Sequence, residues 1–330
     1  MISSFVGLTA LGTYVPAEIV TNDDLARRGV ETSDQWIQDR TGIKERRFAK
    51  PDEFTSHLCI AAVENMLERY GPKVLDGVDM VIVATSTPDA LFPQTAALVQ
   101  HHFGLKAGAF DLLAACPGWL YALSVAAAYT KSGLRKKVLA IGAESLTKIL
   151  DWNDRAAVVL FGDGACAGIV EAVPEQYGFK SFVLGTDGAG GKLLNMRCLA
   201  KTLPDGSLLS EKISMNGKEV FKFAVRVMHT ATKQAVLEAG LELDDIAQFV
   251  PHQANYRIID AAREYLELPP ERVVANVDRY GNTSAASIGL AMREALDDGR
   301  IKDGDHLLLV TFGAGLTWAA SVLRWHEKTF

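Results

Sequence analysis

Short aliphatic and β-branched runs alternate along the chain with longer segments whose apolar positions recur at helical spacing. The runs Met80-Val-Ile-Val-Ala, Lys137-Val-Leu-Ala-Ile-Gly, Ala156-Ala-Val-Val-Leu-Phe, Gln248-Phe-Val-Pro and His306-Leu-Leu-Leu-Val-Thr predict buried strands. Residues 56–70, 118–132, 217–239, 257–266 and 284–296 predict helices, with Gly71, Gly240 and Gly299 near their ends. Such alternation predicts an α/β protein with a largely parallel sheet. The uncharged run over 112–130 approaches the length of a membrane span, but Pro117 and Gly118 interrupt it and it is rich in alanine. It predicts a buried helix of a protein with no membrane segment.

The pattern repeats once at an offset of roughly 168 residues. Residues 79–84 correspond to 247–250. The unit Phe110-Asp-Leu…Cys116-Pro-Gly corresponds to Asn276-Val-Asp…Asn282-Thr-Ser, each leading into an alanine-rich helix, and 137–142 corresponds to 306–311. The match lies in pattern and order rather than identity. It predicts two similar halves, 1–174 carrying a cysteine and 175–330 carrying a histidine and an asparagine.

Composition narrows the functions on offer. The 330 residues carry a net charge of −6, so there is no overall positive field to attract a phosphate backbone, and nucleic acid is not an expected partner. The four cysteines, Cys59, Cys116, Cys166 and Cys198, are widely spaced without a C-x-x-C pair, which argues against a disulfide framework and against a zinc site. Cys59, Cys166 and Cys198 read as small buried hydrophobes. The opening Met1-Ile-Ser-Ser-Phe-Val-Gly-Leu lacks the charged leader and apolar run of an export signal, so the expected location is cytoplasmic.

Four segments could carry chemistry. In Ala114-Ala115-Cys116-Pro117-Gly118-Trp119 a thiol meets a helix start, with Pro117 suited to the first helical position and Cys116 to the N-cap. There, free amides and the dipole favour thiolate. In Val250-Pro251-His252-Gln253-Ala254-Asn255 a strand ends at a polar turn, the place where α/β sites gather. His57, His101, His102, His229, His306 and His326 lack such a position and read as ordinary. Tyr280-Gly281-Asn282-Thr283-Ser284 duplicates the Cys116 segment, although Asn-Thr-Ser alone reads as a helix cap. Thr311-Phe312-Gly313-Ala314-Gly315-Leu316 is a glycine-rich turn whose amides suit an oxyanion hole. Gly185-Thr-Asp-Gly-Ala-Gly-Gly-Lys lacks phosphate-loop spacing, and no metal-binding helix motif occurs.

With these segments assembled, the sequence resembles the β-ketoacyl-acyl-carrier-protein synthase III family of the thiolase superfamily over essentially its whole length. The resemblance rests on Thr32-Ser-Asp-Gln-Trp36-Ile with Arg40-Thr-Gly-Ile, Asp111…Ala-Ala-Cys116, Arg155…Leu-Phe-Gly-Asp-Gly-Ala, Pro251-His-Gln-Ala-Asn255…Arg257-Ile, Gly281-Asn-Thr-Ser-Ala-Ala-Ser and Phe312-Gly-Ala-Gly-Leu-Thr-Trp. It implies a duplicated five-layer αβαβα fold, a homodimer, and the decarboxylative Claisen condensation of acetyl-CoA or another short acyl-CoA with malonyl-acyl-carrier protein that starts fatty-acid synthesis. CoA and carbon dioxide are the other products, and acyl-CoA is a substrate, so no cofactor is expected. A same-fold condensing enzyme or acyltransferase priming a secondary-metabolite pathway is the alternative. A Cys-His-Asn hydrolase would use the same residue types on a different scaffold and motif, and a non-catalytic acyl-CoA binding protein, which would release no carbon dioxide, is the other rival.

On this pattern Cys116 forms the acyl thioester, His252 and Asn282 hydrogen-bond the malonyl thioester carbonyl, and the amides of Cys116 and Ala314 form the oxyanion hole. Trp36 and Arg155 match residues that sandwich adenine, and Thr32, Arg40, Gly217 and Asn255 match others along the CoA tunnel. On residues alone, Trp36 would read as core. Phe92 matches a residue that reaches the partner's acyl pocket, with Leu146, Phe161 and Phe312 in its wall. Lys218, Lys222 and Arg226 repeat every four residues on one predicted helix face, while Arg257 and Arg263 follow His252. Lys222 and Arg257 match carrier-docking positions, and the other three extend that basic face. Pro117 stands where Ser or Ala is common and Trp119 where Phe is usual, both expected beside the thiol. Ala314 replaces a common glycine, which is tolerable if its φ is negative.

Overall fold

The computed structural model describes residues 5–330; Met1–Ser4, which open the segment searched for an export signal, lie outside the described residues. Runs apolar at every position need cover on both faces, and the two main sheets have it. In Met80–Ala84, Met80, Ile82 and Ala84 face one core while Val81 and Val83 face another. In His306–Gly313, Leu307 and Leu309 join the first of these cores, whereas Leu308, Val310 and Phe312 join a third.

The first sheet has the strand order Val6–Tyr14, Gly164–Ala172, Lys137–Glu144, Met80–Ala84, Gly108–Leu112. The second runs Gly178–Thr186, Thr317–Arg324, His306–Gly313, Gln248–Pro251, and an isolated parallel bridge from Phe249 to Val273 continues it. In each sheet the first three strands each pair antiparallel with their neighbour and the next is added in parallel, so the two repeat one pattern.

Five layers result. Helix Thr55–Tyr70 covers the outer face of the first sheet through Leu58, Ala62 and Met66. Helices Gly118–Lys131 and Ser287–Asp297 fill the space between the sheets, and Gly217–Glu238 with Tyr256–Tyr265 covers the outer face of the second. Alanines in the middle layer let the backbones approach. At Gly142 a Cβ would lie 2.6 Å from the Ala285 carbonyl oxygen and 2.8 Å from the Trp119 Cβ, so only glycine fits.

Two expectations are corrected. Residues 156–161 do not form a strand: the Asp154 side chain accepts from the Ala156 N–H and starts the short helix Arg155–Val158, and the strand follows at Gly164–Ala172. The sheets are mixed rather than largely parallel, because Lys137–Glu144 and His306–Gly313 each pair antiparallel with the strand that follows. The run over 112–130 contributes the strand end at Leu112 and the middle-layer helix, and among the described residues no helix is long and apolar enough to cross a membrane.

Candidate active site

Cys116 is delivered by the loop between strand Gly108–Leu112 and helix Gly118–Lys131. Ala115 is held at φ 48, and the Gly118 N–H closes onto its carbonyl at 2.8 Å, a tight strand-to-helix turn that presents the next side chain. The N-cap is Pro117, one residue later than predicted, so the thiol stands just outside the helix. Its environment also differs from the prediction. Cys116 is only partly covered as a residue, but burial of its thiol pushes the pKa up to about 12, and a hydrogen bond from Ser284 opposes this without reversing it. At neutral pH the Cys116 side chain is therefore a thiol.

The strand end at Gly313 backs directly onto this turn. A Cβ there would come within 2.9 Å of the Cys116 Cβ, 3.0 Å of its backbone nitrogen and 2.8 Å of the Pro117 Cδ, which requires glycine. The following Ala314 is not among the positive-φ residues, and its methyl is therefore accommodated. Trp119 does not stand beside the thiol. It is fully buried in the middle layer, where its Nε1–H donates to the Ala140 carbonyl at 3.1 Å.

His252 follows strand Gln248–Pro251 and is anchored by its own N–H to the Val310 carbonyl at 2.8 Å. Its Nδ1 lies 2.6 Å from Ser287 Oγ, and its buried Nε2 has no partner. Burial with no compensating charge lowers its pKa to about 3, which keeps the imidazole neutral. Gln253 fixes the turn: its side chain donates to the Pro251 and Val274 carbonyls at 2.7 and 3.1 Å and accepts from the Asn276 N–H at 2.9 Å. Asn282 is gripped by Leu160 and Gly162 through backbone bonds of 2.8 and 3.0 Å. Its Oδ1 accepts from the Ser284 N–H at 2.9 Å, leaving the NH2 to donate elsewhere.

These side chains share one cavity of about 550 Å³. Cys116, His252, Asn282, Phe161 and Phe312 line its protein-enclosed part, while Trp36, Arg40, Gly217, Lys218, Lys222, Asn255 and Arg257 line the rest. The guanidinium carbons of Arg40 and Arg155 lie 4.4 and 4.6 Å from the Trp36 ring centre. Asn255 caps helix Tyr256–Tyr265 and donates from its Nδ2 to the Arg40 carbonyl at 3.0 Å, tying the two walls together. Thr32 is not on the lining, and its buried hydroxyl lacks a partner.

The remaining candidates lie elsewhere. Leu146 is buried in the adjoining core, and Phe92 is 84% exposed on a surface loop with Leu91 at 67%. Arg226 is exposed farther along the helix of Lys218 and Lys222, and Arg263 is held by Asp260 at 2.9 Å and Glu264 at 3.5 Å. Cys198 is exposed, correcting the expectation of a buried side chain, whereas Cys59 and Cys166 are buried. Among the described residues no cluster of His, Cys, Asp or Glu could hold a metal ion. Ser284, Ser287, Gln253 and Glu144 carry the site's hydrogen bonds without having been singled out from the sequence; the first two stand in the Asn282 motif, and Glu144 is the lone acid ending a buried strand.

Two family models match the chain: 3-oxoacyl-[acyl-carrier-protein] synthase III over residues 110–188 and its C-terminal counterpart over 236–325. The chain is 51% identical to β-ketoacyl-[acyl-carrier-protein] synthase III of Deinococcus deserti, over 97% of this chain and 91% of that one. It is similar to the crystal structure of β-ketoacyl-[acyl-carrier-protein] synthase III from Thermus thermophilus, with 63% identity, a TM-score of 0.96, and coverage of 98% and 100%. The priming β-ketosynthase of the R1128 polyketide pathway is 35% identical, with a TM-score of 0.90 and coverage of 98% and 97%.

Proposed function

The chain belongs to the 3-oxoacyl-[acyl-carrier-protein] synthase III family, and from that premise we propose that its cavity carries out the family's condensation with Cys116 as nucleophile and His252 and Asn282 as the decarboxylation pair. It is a thiolase-like condensing enzyme that joins a short acyl-CoA such as acetyl-CoA to malonyl-acyl-carrier protein and so starts fatty-acid synthesis. The observation that carries the assignment of roles is the convergence on one cavity of a thiol, an unpartnered imidazole nitrogen and an asparagine NH2.

Cys116 Sγ attacks the acyl-CoA carbonyl, CoA leaves as a thiol carrying the cysteine's proton, and the acyl group stays on sulfur. Malonyl thioester then takes the place of CoA. As carbon dioxide leaves, the electron pair moves into an enolate whose oxygen accepts hydrogen bonds from His252 Nε2–H and Asn282 Nδ2–H. Both donors are neutral and already oriented, so they stabilise charge that exists only in the transition state and the enolate. The enolate carbon attacks the acyl-Cys carbonyl, whose oxygen the Cys116 and Ala314 amides hold, and the thiolate of Cys116 departs. The acyl group lies against Phe161 and Phe312, with Leu146 behind them.

Trp36 and Arg155 hold adenine, and Arg40, Gly217 and Asn255 line the rest of the CoA path, with Thr32 set back from it. Lys218, Lys222, Arg226 and Arg257 offer positive charge to the acidic carrier protein at the exposed rim. Exposed Phe92 belongs at the interface of a homodimer, where it closes the partner's acyl pocket. The two sheets of matching strand order support a division into halves 1–174 and 175–330. No cofactor is required, since both substrates arrive as activated thioesters, and a cytoplasmic setting suits four free cysteines.

Intact mass after mixing with acetyl-, isobutyryl- and hexanoyl-CoA tests this reading. An adduct on wild type but not on Cys116→Ala, discharged by malonyl-carrier protein, is the expected result. No adduct from any acyl-CoA overturns it.

A further inference from the structure

The condensation takes up one proton overall, because Cys116 leaves the tetrahedral intermediate as a thiolate and must become a thiol again. His252 and Asn282 are engaged with the malonyl oxygen at that moment. Next to the nucleophile lies a carboxyl group that the mechanism has not used. Glu144 ends strand Lys137–Glu144 and is fully buried. Its Oε1 lies 3.2 Å from Ser284 Oγ and its Oε2 2.9 Å from Thr87 Oγ1, while the Ser86 N–H reaches both oxygens at 3.1 Å. Ser284 is held at φ 48 by its N–H bond to Asn282, and its hydroxyl is near enough to the Cys116 thiol to pull that thiol's pKa down against burial. The turn that carries Asn282 into the cavity thereby sets one hydroxyl between a carboxyl group and the nucleophile.

A carboxylate surrounded only by neutral donors is poorly stabilised. Burial raises Glu144 to about 7, and the hydrogen bonds from Thr87, Ser86 and Ser284 pull it back only in part. The titratable groups that feel its charge are thiols: Cys116 across Ser284, and Cys59 on helix Thr55–Tyr70, which also feels Asp89, Asp111 and Cys166. With the Cys116 thiol at about 12, a proton passes downhill from Glu144 to a Cys116 thiolate.

We propose that Glu144 is a positioning residue that returns the proton to Cys116 through the Ser284 hydroxyl as the condensation product leaves. The inference rests on Cys116 being the acyl carrier. As the carbon–sulfur bond breaks, sulfur takes the Ser284 hydroxyl proton and Ser284 Oγ takes the Glu144 carboxyl proton. Ser284 ends unchanged, Glu144 ends as a carboxylate, and a proton from water restores it before the next cycle.

The test is a single turnover of preloaded acyl-enzyme with malonyl-carrier protein at a series of pH values from about 5.5 to 9, for wild type, Glu144→Gln and Ser284→Ala. The wild-type rate is expected to fall as pH rises through about 7. Both variants are expected to be slower by about tenfold or more near pH 6 and to lack that fall. A Glu144→Gln enzyme that keeps the fall at the same pH overturns the relay and leaves Glu144 a purely structural role. If Glu144→Gln does not fold, Ser284→Ala, which leaves the carboxyl its Thr87 and Ser86 bonds, decides by the same comparison. A wild-type enzyme that accepts no acyl group overturns the relay together with the reading of Cys116, whereas normal loading with an unchanged profile overturns the relay alone.

Discussion

Ser287 Oγ sits 2.6 Å from His252 Nδ1, on the side of the ring away from the unpartnered Nε2. Ser287 Oγ also receives the Gln253 N–H at 3.4 Å, so its own proton is directed to Nδ1. An imidazole that accepts at Nδ1 and is neutral must carry its proton on Nε2, the tautomer that can donate to a thioester carbonyl. Ser287→Ala removes that selection. The expected outcome is a fall in the malonyl decarboxylation rate of about 1–2 kcal/mol, or roughly tenfold, with acyl-Cys formation unchanged. Carbon dioxide release and adduct mass, measured on the same preparation, separate the two steps.

Two guanidinium groups share the Trp36 ring, Arg40 at 4.4 Å and Arg155 at 4.6 Å, and Arg155 is further tied to the Glu31 carbonyl at 2.8 Å. For adenine to enter between Arg155 and Trp36, Arg155 must swing outward and stack on the base instead of on the indole. Stacking of this kind contributes about 1–2 kcal/mol when partly desolvated. Trp36→Ala is therefore expected to raise the acyl-CoA KM about tenfold while kcat at saturating substrate stays within about twofold, since the ring touches no reacting atom. A drop in kcat with KM unchanged would contradict the adenine assignment.

Glu144 also ties stability to pH. Its folded pKa of about 7 lies above the 4.5 of an exposed glutamate, so between these values the native state holds a proton that the unfolded chain has lost. The stability contributed by that proton is complete below 4.5 and disappears as pH rises through about 7, a change on the order of 3 kcal/mol. Glu144→Gln keeps the shape without the titration. Urea unfolding near pH 5 and near pH 8 is expected to show the variant gaining on wild type at the higher pH; the opposite sign would mean that Glu144 is ionised and well paired.

The fold was legible where burial on both faces forces uninterrupted apolar strands, as in Met80–Ala84 and His306–Gly313, and where helices carry amphipathic spacing, as in Gly217–Glu238. Residues 156–161 misled because Val-Val-Leu-Phe has strand-like composition, and a single Asp154 cap, a local hydrogen bond invisible to periodicity, turned its beginning into a helix. Cys116, His252 and Asn282 could be singled out because Cys116 and Asn282 stand in corresponding segments before a helix and His252 follows a strand end, and the folded chain brings the three into one cavity. Glu144, Ser284 and Ser287 were not, since their importance lies in contacts between segments more than a hundred residues apart, or between neighbouring turns, that only the folded chain creates. Trp119 was misplaced for the same reason: glycines at Gly142 and Gly289 open the middle layer to it, and neither is near it in sequence.

Not all the basic residues of the rim are equally free to meet an acidic carrier. Lys222 is paired with Glu219 at 2.8 Å, and Arg263 is held between Asp260 and Glu264. Arg257 is exposed, lines the cavity and lies 5.8 Å over the Phe221 ring, with no salt bridge among the described residues. A charge already neutralised by a neighbour adds little to a long-range field, so the three should rank Arg257, Lys222, Arg263 in their effect on docking. Arg257→Glu is expected to raise the KM for malonyl-carrier protein about tenfold at low salt, and the difference should shrink as ionic strength approaches about 0.5 M, where screening shortens to a few ångströms. Arg263→Glu should stay within about twofold. Because Arg257 also faces the cavity, the KM for acyl-CoA must be followed in parallel: an equal rise for both substrates would assign Arg257 to the CoA path, and a rise for the carrier alone to its docking.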